Sequence, residues 1–478
     1  MFVIVEVHPA VMKRVLLISF YYPPREGVGG VRPAGAAKYL PQFDWEPIIM
    51  TPALPPGERP NARVIETGYR DVLSRWKTIF GLDPDRGLHE QLELPQSSSP
   101  RSYLAHTKAI YWLKSLLTYP DPFKGWLPFA RKAVLQFARQ EQVDAILTTA
   151  PPISCHLIGM EAKTILRRPW VADCRDMLAD APFGSRLLKR QLRSLEQRTL
   201  QKADALVTVS LPWADHLRQL HPSKSVAAIT NGFDPEAVPA CEPVNFFCIT
   251  YTGELYHGER DPTLLFEVLT ELIRENSLPS SQVRVRFYGP SDPWLAAHVE
   301  RYGLQDVVEI HDRVSRGESL QHQRESQILL LLGFNVPLYE GGYPGKVFEY
   351  LGARRPILAL GGKPGVVGQL LAETATGMFA ATKAELRTFL MNAYAEFRAR
   401  GQVSYRGKQA AIAQYTHREM ARKFARTLDT MVEETMPRTD TPFAKRVTRI
   451  LPSKSARVSE IPTGVIRRDF RRSECSEN

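Results

Sequence analysis

The stretch Glu340-Gly341-Gly342-Tyr343-Pro344-Gly345-Lys346-Val347-Phe348-Glu349 sets a lysine and a glutamate three residues apart, directly after a Pro-Gly loop end. From Gly345 the pattern reads as a helix, whose first turn exposes unpaired backbone N–H groups and a partial positive charge. Lys346 adds a full charge at that end, and Glu349 falls on the same face one turn deeper. A cation for phosphate beside a carboxylate for hydroxyls suits a nucleotide or a sugar. Read by itself, the spacing equally fits a solvated surface ion pair.

Three other windows carry candidate chemistry. Tyr21-Tyr22-Pro23-Pro24-Arg25-Glu26-Gly27-Val28-Gly29-Gly30 follows an apolar run and precedes a helix, so the backbone at Gly29 and Gly30 is free to approach a ligand. Its spacing is neither a dinucleotide fingerprint nor a P-loop, and an ordinary flexible loop is the competing reading. Gly253, in Tyr251-Thr252-Gly253-Glu254, repeats the strand-then-glycine arrangement, and Arg260 could pair bidentately with a diphosphate or simply be solvated. In Trp170-Val171-Ala172-Asp173-Cys174-Arg175-Asp176, alternation puts Asp173 and Arg175 on one side of the pleat, as a structural pair, with Asp176 at the strand tip. His156 opens a helix beside these residues and reads as a cap or core histidine rather than a catalyst.

Such residues need a scaffold, and the sequence supplies one in a repeating style. Short β-rich apolar runs end in Gly, Pro, Asn or Asp and give way to helical patterns, the signature of βα units around parallel sheets. The first group is Val15–Phe20, Pro47–Met50, Ala145–Thr149, Val171–Cys174, Ala205–Val209 and Ala227–Ile229; the second is Phe247–Tyr251, Val283–Phe287, Val307–Ile310, Ile328–Leu332 and Pro356–Leu360. Too many for one sheet, they predict two doubly wound α/β domains, divided at the turn-rich stretch after Asn231 and facing each other across a cleft.

The expected layout is an N-terminal extension over 1–12, with Met12 as an alternative start, then a first domain over 13–235. A long insertion over 54–137 interrupts that domain. A second domain covers 236–415, an amphipathic helix 416–434, and a basic tail 435–478, rich in Arg, Ser and Pro, closes the chain.

Composition narrows the partners. Lys and Arg exceed Asp and Glu by 62 to 51, a net charge of +11 that favours anionic ligands or surfaces. With 44% hydrophobic and 24% charged residues the chain is an ordinary folded protein, not a polyelectrolyte. The five cysteines form no CxxC pair, which argues against a zinc or disulfide scaffold. No apolar run reaches the roughly 20 residues of a membrane-spanning helix. Two stretches combine aromatic or apolar residues with basic ones as membrane-surface segments do: Tyr103–Phe137, with Trp112, Phe123 and Trp126, and Arg186–Lys202. Core stripes with a solvated charged face are the alternative for both.

Taken together, the windows resemble the family-4 retaining glycosyltransferases, in the branch that assembles cell-surface polysaccharides. The resemblance runs over about residues 13–432. It rests on Arg14-Val-Leu-Leu-Ile-Ser-Phe-Tyr-Tyr-Pro-Pro, Pro120-Asp-Pro, Asp144-Ala-Ile-Leu-Thr-Thr-Ala-Pro-Pro, Thr230-Asn-Gly-Phe-Asp, Tyr251-Thr-Gly and Gly345-Lys-Val-Phe-Glu-Tyr-Leu. What it implies is an α/β GT-B fold of two Rossmann-like domains, a nucleotide-sugar donor on the second, an acceptor on the first, and neither metal nor other cofactor.

Glu349 matches the family glutamate that contacts the donor ribose, and Lys346 would lie near the diphosphate. Gly29, Gly30, Gly253, Arg260, Tyr343 and Gly345 complete the expected donor set, with Asp176, Arg175 and Glu340 as catalytic candidates. The chain departs from the family pattern in having eight residues between Glu340 and Glu349, where seven are common, and Gly253-Glu254 where many relatives have Gly-Arg.

The function expected is transfer of a sugar to a glycan or polyprenyl-linked acceptor, in the cytoplasm or at the inner membrane face, with an anionic membrane as a further partner and nucleic acid as none. Two other readings remain open on sequence: a sugar-nucleotide epimerase, which needs acid/base groups such as His156 and Asp176, and a non-catalytic basic module that binds lipid or nucleic acid.

Overall fold

The computed structural model describes residues 12–25, 27–79, 117–176, 186–236, 241–334 and 341–435. Glu340, the insertion between 80 and 116 and the basic tail therefore lie outside the described residues.

The described strands form two wholly parallel sheets. The first has seven: β1 (Lys13–Ile18), β2 (Trp45–Pro52), β3 (Arg63–Thr67), β4 (Ala145–Ala150), β5 (Trp170–Cys174), β6 (Ala205–Thr208) and β7 (Ser225–Ala228), in the order β3-β2-β1-β4-β5-β6-β7. The second has six: β8 (Phe247–Thr252), β9 (Val283–Tyr288), β10 (Val308–His311), β11 (Ile328–Leu332), β12 (Ile357–Leu360) and β13 (Gly377–Phe379), in the order β10-β9-β8-β11-β12-β13.

Helices cover both faces of each sheet, which is why the central strands read as unbroken apolar runs. Leu16 and Ile18 of β1 enter one core cluster while Val15 and Leu17 enter the cluster on the opposite face. In β11 the same split sends Ile328, Leu330 and Leu332 one way and Leu329 and Leu331 the other. Period-two alternation between two buried faces fixes register, because a slip of one residue would exchange the two sets.

Each sheet reverses its strand order once, between β1 and β4 in the first and between β8 and β11 in the second. Ligands of open α/β sheets bind outside the carboxyl ends of the strands at such reversals. The loop after β1 leads to Gly29 and Gly30, Gly253 follows β8, and Gly341–Pro344 lies between β11 and the helix that begins at Gly345. The candidate windows thus sit at the two switch points.

The helix His417–Thr435 follows the second sheet in sequence but packs on the first. Met420, Phe424, Leu428 and Met431 join Val15, Leu17 and Trp45 in one cluster, and Asp429 accepts a 3.0 Å hydrogen bond from Trp45 Nε1 while pairing with Lys13. Where the chain crosses between sheets, Phe233 and Thr416 form a parallel bridge, with Phe233 N donating to Tyr415 O and His417 N to Phe233 O. Two neighbouring strands of the crossing are thereby tied together.

The structure corrects the strand inventory. Thirteen strands are described rather than eleven, since β3 lies inside the stretch read as an insertion over 54–137 and β13 went unread. Both are sheet edges, and β3 carries Arg63 and Glu66 in only five residues, so neither shows an apolar run.

The aromatic stretch before residue 137 also changes meaning where it is described. Trp126 is fully buried with its Nε1 donating to Thr67 Oγ1 at 2.7 Å, and Phe123 packs on Phe20 with ring centroids 4.2 Å apart. These are core side chains, not a membrane-facing stripe. Among the described residues no helix is long and apolar enough to cross a membrane.

Candidate functional site

Between the two sheets lies a cleft of about 620 Å³, within the range of small-molecule sites. Its lining includes Gly29, Arg175 and Asp176 from the first sheet's loops and Gly253, Arg260, Tyr343, Gly345, Lys346 and Glu349 from the second's. Nine of the eleven candidate residues thus meet in one space. Gly30 is buried behind the loop against Tyr21, Tyr22 and Pro23 rather than on the cleft wall, and Glu340 lies outside the described residues.

Lys346 stands at the head of the helix Gly345–Ala353 and lays its side chain over Gly253. A methyl group on Gly253 would fall 2.0 Å from Lys346 Nζ, and the backbone there has φ +131, so glycine is required twice over. The ammonium also lies 5.2 Å from the centroid of the Tyr251 ring. Among the described residues it has no hydrogen-bond or ion-pair partner. Burial, and secondarily the charge of Arg260, bring its pKa down to about 7, with Glu349 and Glu254 pulling the other way.

Arg260 is not a solvated arginine. Its guanidinium sits between the rings of Tyr256 and Phe334, 5.0 and 4.4 Å from their centroids, and donates to Glu254 O at 3.2 Å. Among the described residues its buried Nε has no partner. Two cations and a helix N-terminus thus converge, and among the described residues no carboxylate makes an ion pair with either cation, an arrangement that attracts a polyanion. Glu349, one turn deeper, pairs instead with Arg316 at 3.2 Å and receives Gln323 Nε2 at 3.5 Å.

On the opposite wall, the pairing expected inside β5 is wrong. Asp173 pairs not with Arg175 but with Arg32, which donates from Nε and Nη2 at 2.8 Å each. Thr149 Oγ1 gives Asp173 a further bond at 2.8 Å, while Arg32 also donates to the Ile229 and Thr230 carbonyls and to Asn231 Oδ1. The buried pair joins the helix after the glycine loop to β4, β5 and the segment leading to the crossing.

Arg175 donates to the carbonyls of Gly29 at 2.7 Å, Pro151 at 2.6 Å and Ala150 at 3.3 Å, so it holds the glycine loop in place. Asp176 opens to solvent within the cleft but is ringed by protein, and this desolvation raises its pKa against the opposing charge of Arg175.

His156 is absent from the cleft: fully buried, it bonds Thr148 Oγ1 at 2.8 Å and contacts Cys174 Sγ. That removes one of the two acid/base groups an epimerase would use. Sequence reasoning missed His417, which lines the cleft from the far end of the chain. Its imidazole is buried, with Nε2 unpartnered among the described residues, and burial lowers its pKa to about 4. A lone histidine opening an amphipathic helix gives no sequence signal of this.

Residues 30–232 match the family model described as a glycosyl transferase 4-like domain. A search of curated proteins finds no match.

Among solved structures, sucrose-phosphate synthase from Thermosynechococcus elongatus aligns with TM-score 0.56 and 15% identity, covering 88% of this chain and 100% of its own. HepE from Anabaena, solved with UDP and glucose, aligns with TM-score 0.57 and 15% identity over 87% and 100%. Trehalose 6-phosphate synthase from Burkholderia multivorans aligns with TM-score 0.56 and 12% identity over 88% and 100%.

At such identities the neighbours show the fold, which is GT-B. The family-model match over residues 30–232 and the fold together support a glycosyltransferase of the GT-B type. The model match stops at the crossing after β7, so the cationic wall around Lys346 lies wholly outside it.

Proposed function

We propose that this glycosyltransferase moves a sugar from a nucleoside-diphosphate sugar to a glycan or lipid-linked acceptor, with retention of anomeric configuration, in the assembly of cell-surface polysaccharide. The observation that carries the reading is the Lys346 ammonium, unpaired among the described residues, lodged over Gly253 beside Arg260 at a helix N-terminus, with Glu349 one turn deeper. A diphosphate supplies the missing negative charge, and the ribose hydroxyls take the carboxylate. HepE, of the same fold, is solved with UDP-glucose, which makes uridine diphosphate sugars the first donors to try.

In the reaction the bond from the sugar's anomeric carbon to the diphosphate oxygen breaks and a bond to the acceptor hydroxyl forms on the same face. The hydroxyl proton leaves with the diphosphate. Lys346, Arg260 and the helix N–H groups face the position where negative charge grows, and fixed donors of this kind are worth about 10²- to 10³-fold in rate. Asp176, on the acceptor side, accepts a hydrogen bond from the acceptor sugar, and Arg175 positions the glycine loop against it.

The test is release of nucleoside diphosphate from a panel of nucleotide sugars, with EDTA present, with and without short glycans and polyprenyl-linked sugars. The reading expects acceptor-dependent release and a product with the donor's anomeric configuration by NMR. Release that ignores the acceptor, or an inverted product, would count against it.

Binding should also track the Lys346 proton. Below pH 7 the ammonium is charged in both free and bound states, so the lysine adds no slope there. Above pH 7 it is neutral when free, and a bound diphosphate must draw a proton onto it. Affinity for the nucleoside diphosphate should then fall by up to about tenfold per pH unit, with proton uptake visible as a buffer-dependent heat. A flat profile from pH 6 to 9 would show that Lys346 does not face the diphosphate.

A lipid-linked acceptor implies work at a membrane surface. The helix Arg186–Leu200 offers Leu187, 66% exposed, beside exposed Arg190 and Arg193. Flotation with anionic vesicles and not with neutral ones is the expected outcome, lost in Leu187→Gln with Arg190→Gln.

A further inference from the structure

The backbone at Gly341 and Gly342, just before the phosphate-facing turn of the second domain, lies flat against the indole of Trp213 in the first domain. A methyl group at 342 would stand 2.6 Å from Cζ2 and 3.0 Å from Cη2 of that indole, and one at 341 would stand 3.0 Å from both Cδ1 and Nε1. The 2.6 Å approach at 342 is shorter than side-chain carbons make, so one partner would have to move there, while the 3.0 Å contacts at 341 are tight ones that a few tenths of an ångström relieve. Gly342 has no positive φ, so its backbone conformation is open to any residue; the indole alone excludes a side chain there.

The indole itself is not free to yield. Trp213 is 6% exposed, sits in the first domain's core cluster, and lies in the first turn of the helix Leu211–Leu220, capped by Ser210 Oγ. Packed interiors transmit displacement rather than absorb it, so a push at 342 falls on the loop. Four residues further on, Lys346 enters the space over Gly253.

We propose that Trp213 is a positioning residue for the donor: its indole is the seat on which Gly341 and Gly342 rest, so the first domain sets where Lys346 and the helix N-terminus meet the diphosphate. This rests on the nucleotide-sugar reading above. It adds that a residue of the acceptor-side domain, touching no donor atom, controls donor affinity, and that the donor site is complete only with the two domains in this arrangement.

The experiment is a double-mutant cycle on the full chain: Gly342→Ala, Trp213→Phe and the pair, with UDP, GDP and ADP binding measured by calorimetry and folding checked by thermal unfolding. Trp213→Phe removes the ring atoms nearest position 342, and Trp213→Leu replaces it where the phenylalanine variant does not fold. Gly342→Ala should weaken the nucleotide that wild type binds by tenfold or more, and the truncated tryptophan should restore most of that loss in the double variant, a coupling that independent sites do not show.

Affinity within twofold of wild type in Gly342→Ala, or no restoration in the double variant, overturns the seat while leaving the donor reading intact. Wild type that binds none of the three nucleotides overturns both.

Discussion

Lys346→Met keeps the length of the side chain and removes its charge, and the variant should fold like wild type yet lose about 10²-fold or more in kcat/KM, with nucleoside diphosphate affinity falling in step. The reason lies in what surrounds the ammonium. It is partly buried, it has no anionic partner among the described residues, and burial already brings its pKa to about 7. A charge held under such strain stabilises nothing in the empty protein, so its removal should leave the melting profile level or slightly improved.

Gly253→Ala makes the same prediction without touching a charge. The added methyl would lie 2.0 Å from Lys346 Nζ on a backbone with φ +131, so the lysine must leave its place. Steady-state kinetics and calorimetry on the two variants check this together. Near-normal turnover in Lys346→Met would remove the lysine from the chemistry.

Asp173→Ala should act in the opposite sense, on stability first. It leaves the Arg32 guanidinium, 3% exposed, buried without its carboxylate, and breaking one side of a buried pair costs about 3–5 kcal/mol. The loss should appear as an earlier unfolding transition of the first domain in urea, followed by fluorescence. Asp176→Ala, two residues away in sequence but open to the cleft, is the control and should shift that transition by less than about 0.5 kcal/mol. A shift in Asp173→Ala as small as that of the control would mean that the Arg32–Asp173 pair carries no stability.

The contrast between Asp173 and Asp176 shows what the sequence could and could not reveal. Alternation along β5 correctly set Asp173 apart as structural and put Asp176 at the strand tip. The partner of Asp173 was out of reach, because Arg32 lies 141 residues earlier and only the sheet order brings the two together. Local patterning therefore assigned Asp173 to Arg175, its nearest cation on the same pleat side. Arg175 instead reaches back to the glycine loop 146 residues earlier.

The fold was legible for the same physical reason that part of the site was. Strands buried on both faces, such as β1 and β11, must be apolar throughout, and the residues after them must be small or turn-forming to admit a ligand. Those two demands leave marks in neighbouring residues, so Gly253, Lys346 and Glu349 could be picked out from their own windows. β3 and β13 escaped because an edge strand answers to only part of that demand. Trp213 and His417 escaped because their roles depend on surfaces supplied by distant segments: the indole meets Gly342 and the imidazole packs on Gly35, and nothing beside either residue records the contact.

If the cleft holds a nucleoside-diphosphate sugar through Lys346 on the phosphates and Glu349 on the ribose, calorimetric titration of UDP, GDP, ADP and their sugars into wild type and Glu349→Gln will show it. The expected result is that one base binds wild type with its sugar derivative at comparable affinity, and that Glu349→Gln weakens both by about tenfold or more, the worth of a charged hydrogen bond. If no nucleoside diphosphate binds wild type, or if Glu349→Gln binds it equally well, the cleft is not the donor site.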